Sequence, residues 1–228
     1  MQAVIFDVDG TLVDSNRWHI EAWRRAFSHY GKQLELAALH EQMGKGGDQL
    51  IPVFCTADEV EQYGAALDSM RSEIFSRDYL PIVQPLQRVR ELFELIRARG
   101  LRIALASSAK EHELKHHKRK LNIADLVESA TSADDAEHSK PCPDIFVAAL
   151  ASLGDVTPNQ ALVVGDTPYD AQAAAAAGLS TIGVLSGGFS ARTLREAGAV
   201  AVYTDVAELL AKYEASPLAR RAAGFKAS

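Results

Sequence analysis

The sequence predicts an α/β fold: a parallel sheet with helices on both faces, interrupted after its first strand by an all-helical insertion. Three observations predict it. Short apolar runs recur along the chain and end in Gly, Ser or Asp, as buried strands do. Between the later runs, apolar residues repeat at the spacing of one helix face. From about Ser15 to Leu80 the pattern is helical and no run reads as a strand. Strand–helix alternation of this kind argues for a parallel sheet covered on both sides.

Val4-Ile5-Phe6 runs into Asp7-Val8-Asp9-Gly10-Thr11. The apolar residues read as a strand, and Gly10-Thr11 ends it, so both acids belong at its carboxyl end. Alternation would send Asp7 and Asp9 to the same side if the strand persisted that far. Within the insertion, Ile20, Trp23, Phe27 and Tyr30 share one helix face; Val60, Tyr63, Leu67, Met70 and Ile74 share another. Pro81 and Pro85 mark the return to the α/β part, because proline resists continuing a helix. Hinges are expected near Asp14-Ser15 and Leu80-Pro81.

Val89, Leu92, Phe93 and Ile96 form the next helix face, which Gly100 stops. Leu101–Ala106 is a strand ending in Ser107-Ser108. Phe146, Ala149, Leu150 and Leu153 lie on a helix that starts near Pro143-Asp144 and stops at Gly154. Thr157-Pro158 reads as another helix start. Ala161–Val164 is a strand ending in Gly165-Asp166, and the alanine run Ala173–Ala177 is a helix stopped by Gly178. Thr181–Val184 and Val200–Tyr203 are the last strands, and Asp205 starts a helix carrying Val206, Leu209, Leu210 and Tyr213. From about Ser216 the periodicity fades and a fraying tail is expected. The expected division is an α/β core of residues 1–14 and 82–215, a helical domain of residues 15–81 and a tail of residues 216–228.

The chain has 228 residues, 47% of them hydrophobic, which makes a soluble globular protein the default. Its 24 Lys plus Arg against 30 Asp plus Glu leave a charge of −6. That balance argues against a nucleic-acid partner, which would want a basic stripe. No apolar stretch is long enough to span a bilayer and no signal peptide precedes the first strand, so a cytoplasmic protein with no membrane partner is expected. Cys55 and Cys142 form neither a ligand cluster nor a disulfide framework. The run Lys115–Lys120, which contains His116 and His117, reads as a solvated helix face rather than a metal or anion site. Monomer and homodimer both remain open.

Four strand or loop ends gather the polar residues that a phosphate and a metal ion would want: Asp7-Val8-Asp9-Gly10-Thr11, Ser107-Ser108, Lys140-Pro141 and Gly165-Asp166-Thr167-Pro168-Tyr169-Asp170. In a parallel sheet such ends converge along one edge. Two like charges as close as Asp7 and Asp9 are costly unless a cation or a proton lies between them. Taken singly, each group has a plainer reading. Asp166, Ser107 and Ser108 could cap turns or helices, and Lys140 alone would be a solvated lysine.

As a set, in this order, the four motifs resemble the haloacid dehalogenase superfamily of phosphotransferases. The resemblance covers the α/β portion and implies a Rossmann-like core. The insertion resembles the small helical cap of the phosphoglycolate phosphatase and β-phosphoglucomutase branch: Trp18–Trp23 is similar to the first cap helix and Gly44-Lys45-Gly46-Gly47 to the specificity loop. What the resemblance implies is specific. Asp7 is the nucleophile, forming an aspartyl-phosphate. Mg²⁺ screens the attack, held by Asp7, Asp166 and the backbone carbonyl of Asp9. The Asp9 side chain is general acid and then base. Thr11, Ser107 and Lys140 stabilise the phosphoryl oxygens. Asp170 orients Lys140 or joins the metal shell, with the first ranked higher. In the cap, His19, Lys45 and Gly46 face the substrate; for His19, simple packing on its own helix is an equal reading.

The implied function is a Mg²⁺-dependent phosphatase for a small phosphorylated metabolite. A phosphomutase is the alternative, weakened because Gly47-Asp48 stands where β-phosphoglucomutases carry an arginine. A haloacid dehalogenase, which lacks the second acid, and a phospho-receiver switch, whose acceptor ends a later strand, come further behind.

Overall fold

The protein is described here by a computed structural model covering residues 1–219. β1 (Ala3–Phe6) is buried along its whole length. Its residues alternate between two apolar clusters: Val4 and Phe6 join one, Ala3 and Ile5 the other. A strand buried on both faces reads as an unbroken apolar run, which is why the sequence reveals it.

After β1 the chain makes a short strand, β2 (Val13–Asp14), and enters the helical insertion. This comprises α1 (Asn16–His29), α2 (Leu36–His40), α3 (Gly47–Phe54), α4 (Ala57–Glu59) and α5 (Ala65–Ile74), with wider π-helical turns at Val60–Gly64 and Phe75–Tyr79. The chain returns through β3 (Gln84–Pro85), α6 (Val89–Ala98), β4 (Arg102–Ala106), α7 (Glu111–Leu121) and β5 (Ser129–Thr131). It ends with α8 (Asp144–Ser152), β6 (Ala161–Gly165), α9 (Pro168–Ala176), β7 (Ser180–Val184), α10 (Ala191–Glu196), β8 (Ala199–Tyr203) and α11 (Val206–Ala211).

Six strands form one sheet in the order β5-β4-β1-β6-β7-β8, and every neighbouring pair is parallel. The chain steps outward from β1 to β4 and β5, then crosses back to build β6, β7 and β8 on the other side. That reversal opens a crevice at the carboxyl end of the central strands. Phe6 is in register with Leu105 and with Val164. Asp7 therefore leaves the sheet level with Ala106 and Gly165, and Ser107 and Asp166 follow one residue later on the same edge.

The inward residues of α6, α7 and α11 share a cluster with Phe6, whereas those of α8 and α9 share one with Ile5. The predicted apolar faces are the ones buried: Val89, Leu92, Phe93 and Ile96 in α6, and Phe146 and Ala149 in α8. Trp23, Phe27, Leu39, Leu50 and Leu67 of the insertion continue the Phe6 cluster, so the insertion is packed onto one side of the core.

In its secondary structure and tail the fold departs from the sequence reading in four places. β2 and β3, unpredicted, pair antiparallel where the chain leaves and re-enters the core, joining Val13 to Pro85 and Asp14 to Gln84. Both are too short to show a pattern. β5 is an edge strand of Ser129, Ala130 and Thr131, and it lacks an apolar run. Thr157-Pro158 opens a single 3₁₀ turn rather than a helix, because β6 begins at Ala161 and leaves no room for more. The expected fraying does not begin at Ser216: Ser216 and Leu218 are buried. The rest of the expected tail lies outside the described residues. Among the described residues, no helix is long and apolar enough to cross a membrane.

Candidate active site

The two acids that follow β1 have different surroundings. Asp7 is buried, with Oδ1 2.5 Å from Lys140 Nζ and Oδ2 accepting a hydrogen bond from the Thr11 hydroxyl at 3.2 Å. The same hydroxyl lies 2.9 Å from Asp166 Oδ1, so Thr11 stands between two carboxylates. Gly10 makes this turn feasible. Its φ is +75°, and a Cβ there would meet Asp166 Oδ2 at 2.3 Å.

Lys140 is buried and pairs with a second acid, Asp170 Oδ1, at 2.7 Å. The other Asp170 oxygen accepts hydrogen bonds from the Thr167 N–H at 3.0 Å and the Thr167 hydroxyl at 2.7 Å. Thr167 and Asp170 form the capping box of α9. Asp170 is thereby anchored by one oxygen and holds Lys140 with the other. Asp166 Oδ2 accepts a hydrogen bond from Asn16 Nδ2 at 2.9 Å, and the backbone at Gly187 lies so close that a Cβ would meet that oxygen at 1.9 Å.

Asp7, Asp166 and Asp170 bring carboxylate oxygens within 4.8 Å of one another, all buried. Ionised, these three acids outnumber their single ammonium partner by two charges. Burial pushes the Asp7 carboxyl up to about 7, against the pull of Lys140. Burial first, then Asp7 and Asp170, push Asp166 well above the usual carboxylate range. Burial opposes the charge on Lys140, but Asp170 and Asp7 more than offset it and raise its pKa. An all-oxygen donor set with two uncompensated negative charges fits a hard divalent cation. The buried Asp7, Asp166 and Asp170 triad offers such a set of oxygens.

Asp9 is held differently. Its Oδ1 accepts from the Ser15 hydroxyl at 2.6 Å and lies 3.0 Å from His19 Nε2; Oδ2 lies 3.4 Å from the Ser107 hydroxyl. Burial alone would raise its pKa, but His19, His117 and Ser15 together hold it below the ordinary value. Asp9 is therefore held as an anion by its neighbours.

Of the expected cap residues, His19 both packs and reaches the acids: its ring stacks on Phe75 at 3.8 Å while Nε2 meets Asp9. Lys45 donates to Gln42 Oε1 at 2.7 Å, and its ammonium sits 4.6 Å from the Tyr169 ring centre. The Gly46 N–H donates to Ser139 Oγ at 2.8 Å, beside Lys140. Lys45 and Gly46 also line the cavity over Asp7 and Asp9, with Trp23 and Arg71. Ser107 accepts the Ala109 N–H at 3.1 Å, but Ser108 is no helix cap: its hydroxyl donates to the Gly44 carbonyl across the cavity at 3.2 Å. α7 starts only at Glu111.

Sequence reasoning missed four residues. Asn16 and Gly187 belong to no motif. Arg71 is buried in the insertion, its guanidinium 5.0 Å from the Trp23 ring centre and 3.4 Å from Asp68, with Nε unpartnered among the described residues. His117 corrects the reading of Lys115–Lys120 as solvated: it is fully buried, and Nε2 lies 3.7 Å from Asp9 Oδ1. Burial lowers its pKa, partly opposed by Asp9. The signal was present, because Leu114, His117 and Leu121 fall at i, i+3, i+7 on one helix stripe. The surrounding charges hid it.

A doubly covered parallel sheet with carboxylates, a lysine and hydroxyls gathered at its carboxyl edge defines an α/β protein with an acid-lined site. Residues 4–184 match the family model described as haloacid dehalogenase-like hydrolase, and the chain belongs to that family. It is 30% identical over 207 residues to a phosphorylated carbohydrates phosphatase from Thermotoga maritima, an alignment covering 89% of this chain and 94% of the relative. It is 32% identical over 218 residues to a phosphoglycolate phosphatase from Rhodospirillum rubrum, covering 91% and 89%. Among solved structures, a hydrolase from Pseudomonas syringae superposes with a TM-score of 0.85 at 27% identity, covering 94% of this chain and 99% of that one. The helical insert and these phosphatase relatives place the chain in the phosphoglycolate phosphatase and β-phosphoglucomutase-like branch of that family.

Proposed function

We propose that the protein is a Mg²⁺-dependent phosphatase for small phosphorylated metabolites, sugar phosphates among them, working through an aspartyl-phosphate on Asp7. The observation that carries this reading is the seating of Asp7: a buried carboxylate with an ammonium on one oxygen and a hydroxyl on the other, facing a cavity. The phosphorylated-carbohydrate and phosphoglycolate phosphatases that the chain resembles support the substrate class.

In this reading Asp7 attacks phosphorus in line and the P–O bond to the leaving alcohol breaks. Asp9 delivers the proton to the departing oxygen. It is held as an anion in the free protein, so the bound phosphate first raises its proton affinity and Asp9 takes up from solvent the proton it delivers. In the second half, water attacks phosphorus, the bond to Asp7 breaks and Asp9 takes the water proton. Thr11, Ser107 and Lys140 stabilise the phosphoryl oxygens, and Asp170 keeps Lys140 in place. Asp7, Asp166 and the Asp9 carbonyl would hold Mg²⁺, which when bound neutralises the charge that otherwise repels the phosphate. Residues 15–81 act as a cap over a core of residues 1–14 and 82–215, carrying His19, Lys45, Gly46 and Arg71 to the leaving group.

A second reading, a phosphomutase, draws on Arg71, a buried guanidinium in the insertion suited to a second phosphate. The 47–48 position does not serve that purpose, because Asp48 Oδ2 accepts the Ser139 N–H at 3.0 Å.

The test is phosphate release from a panel of phosphorylated metabolites with Mg²⁺ and with chelator. We expect turnover that chelation abolishes and Mg²⁺ restores, and loss of at least about a thousandfold in Asp7→Asn. Near-normal turnover by Asp7→Asn sinks the mechanism. Efficient isomerisation of a sugar monophosphate on adding the bisphosphate makes the mutase the better reading.

A further inference from the structure

His117 is a buried group that the proposed reaction leaves without a task. Among the described residues neither of its ring nitrogens has a hydrogen-bond partner, and its side chain is fully buried between Leu114 and Leu121 on the inward stripe of α7. A buried polar group without partners is rare enough to need an explanation. The carboxylate it faces is that of Asp9, with Nε2 3.7 Å from Oδ1.

Asp9 Oδ1 is thus flanked by two imidazoles of different origin. His19, at 3.0 Å, belongs to α1 of the insertion and is stacked on Phe75, another insertion residue. His117 belongs to α7, whose Leu114 and Leu121 are packed in the core cluster. Displacing the insertion carries His19 and Phe75 off together and leaves His117 beside the acid. Ser15, bonded to Asp9 at 2.6 Å, sits just after β2, where the two parts join.

We propose that His117 is a positioning residue for Asp9: when the insertion opens, Asp9 Oδ1 passes from His19 to His117, whose N–H then holds the carboxylate in place for the attack of water. The proposal rests on the aspartyl-phosphate reading, in which the alcohol leaves and water enters between the two half-reactions. With the insertion closed, His19 orients Asp9 for leaving-group departure. With it open, His117 does so for hydrolysis. His117 moves no proton; the water proton goes to Asp9 and the P–O bond to Asp7 breaks.

The test is rapid mixing of the Mg²⁺-loaded protein with p-nitrophenyl phosphate, following p-nitrophenol release and acid-stable covalent phosphate. His117→Leu should release close to one p-nitrophenol per site in a fast phase, then turn over at least about tenfold more slowly than wild type, with phosphoenzyme accumulating. His117→Gln, which keeps an N–H donor, should lose the burst and regain most of the rate. Equal slowing of both phases, no slowing, or the same burst in His117→Gln overturns the proposal, since each is what a packing role or no role predicts. His117→Met replaces the leucine variant if that one does not fold. Asp9→Asn in the same assay separates this inference from the reading beneath it. Wild-type turnover by Asp9→Asn refutes the aspartyl-phosphate roles themselves; an impaired Asp9→Asn with no burst in His117→Leu refutes only the part given to His117.

Discussion

The acid cluster should make the metal-free protein lose stability as the pH rises toward neutrality. Asp7 has an ordinary carboxyl value of 3.8 and is pushed up to about 7 by burial. A carboxyl raised on folding binds more protons in the native state than in the unfolded chain between those two values. Unfolding free energy therefore falls with rising pH in that window, and the slope vanishes above and below it. Three units at about 1.4 kcal/mol each give an upper bound of about 4 kcal/mol for Asp7. Asp166 is shifted in the same direction and shares the effect with it. His116 and His117, both lowered, act with the opposite sign. They contribute stability that is present above the unfolded histidine value of about 6.5 and lost as the pH falls. Asp9, lowered as well, loses its contribution only at more acid pH.

The assay is urea unfolding of chelated wild-type and Asp7→Asn protein from about pH 4.5 to about pH 8. Asparagine keeps the shape and cannot titrate, so the difference between the two proteins isolates the cluster. The wild type should lose about 2–4 kcal/mol relative to the variant across this range, and saturating Mg²⁺ should remove most of that loss. A difference that is flat, or that rises with pH, refutes the reasoning that the buried acids share an uncompensated charge.

Asp170→Asn should leave Lys140 with one carboxylate partner and force an amide N–H against either Lys140 or the Thr167 N–H. We expect a loss of about 1–3 kcal/mol in stability and at least about tenfold in kcat, read by unfolding and phosphate release. Unchanged kcat would show that Asp170 does not hold Lys140 for the reaction. If the insertion moves, exchange at Val13–Asn16 and Leu80–Pro85 should slow on binding a phosphate analogue, because the β2–β3 pairing is where the two parts join. Unchanged hydrogen exchange there would count against a hinge.

Apolar periodicity and strand-end chemistry carried the fold. Ile5, Phe93 and Phe146 sit where their spacing puts them, because burial of a repeating face is a local property of the chain. The cluster Asp7, Thr11, Asp166 and Asp170 stands at the ends of strands or the start of a helix, and Lys140 joins it from the loop before α8. Parallel strands in register bring such ends together. β5 and the β2–β3 pairing were not legible, since they are set by the neighbours they join.

What the sequence by itself determined is the sheet, the insertion and the acids at one edge. What only the tertiary structure decided is how each acid is held. Asp170 commits one oxygen to Thr167 and the other to Lys140, Asn16 reaches across to Asp166, and Arg71 roofs the cavity. The lysine-rich run that read as a solvated face turns His117 inward against Asp9. These contacts join residues far apart in the chain, and charge lost to burial depends on everything packed around it. Neither follows from spacing along the chain.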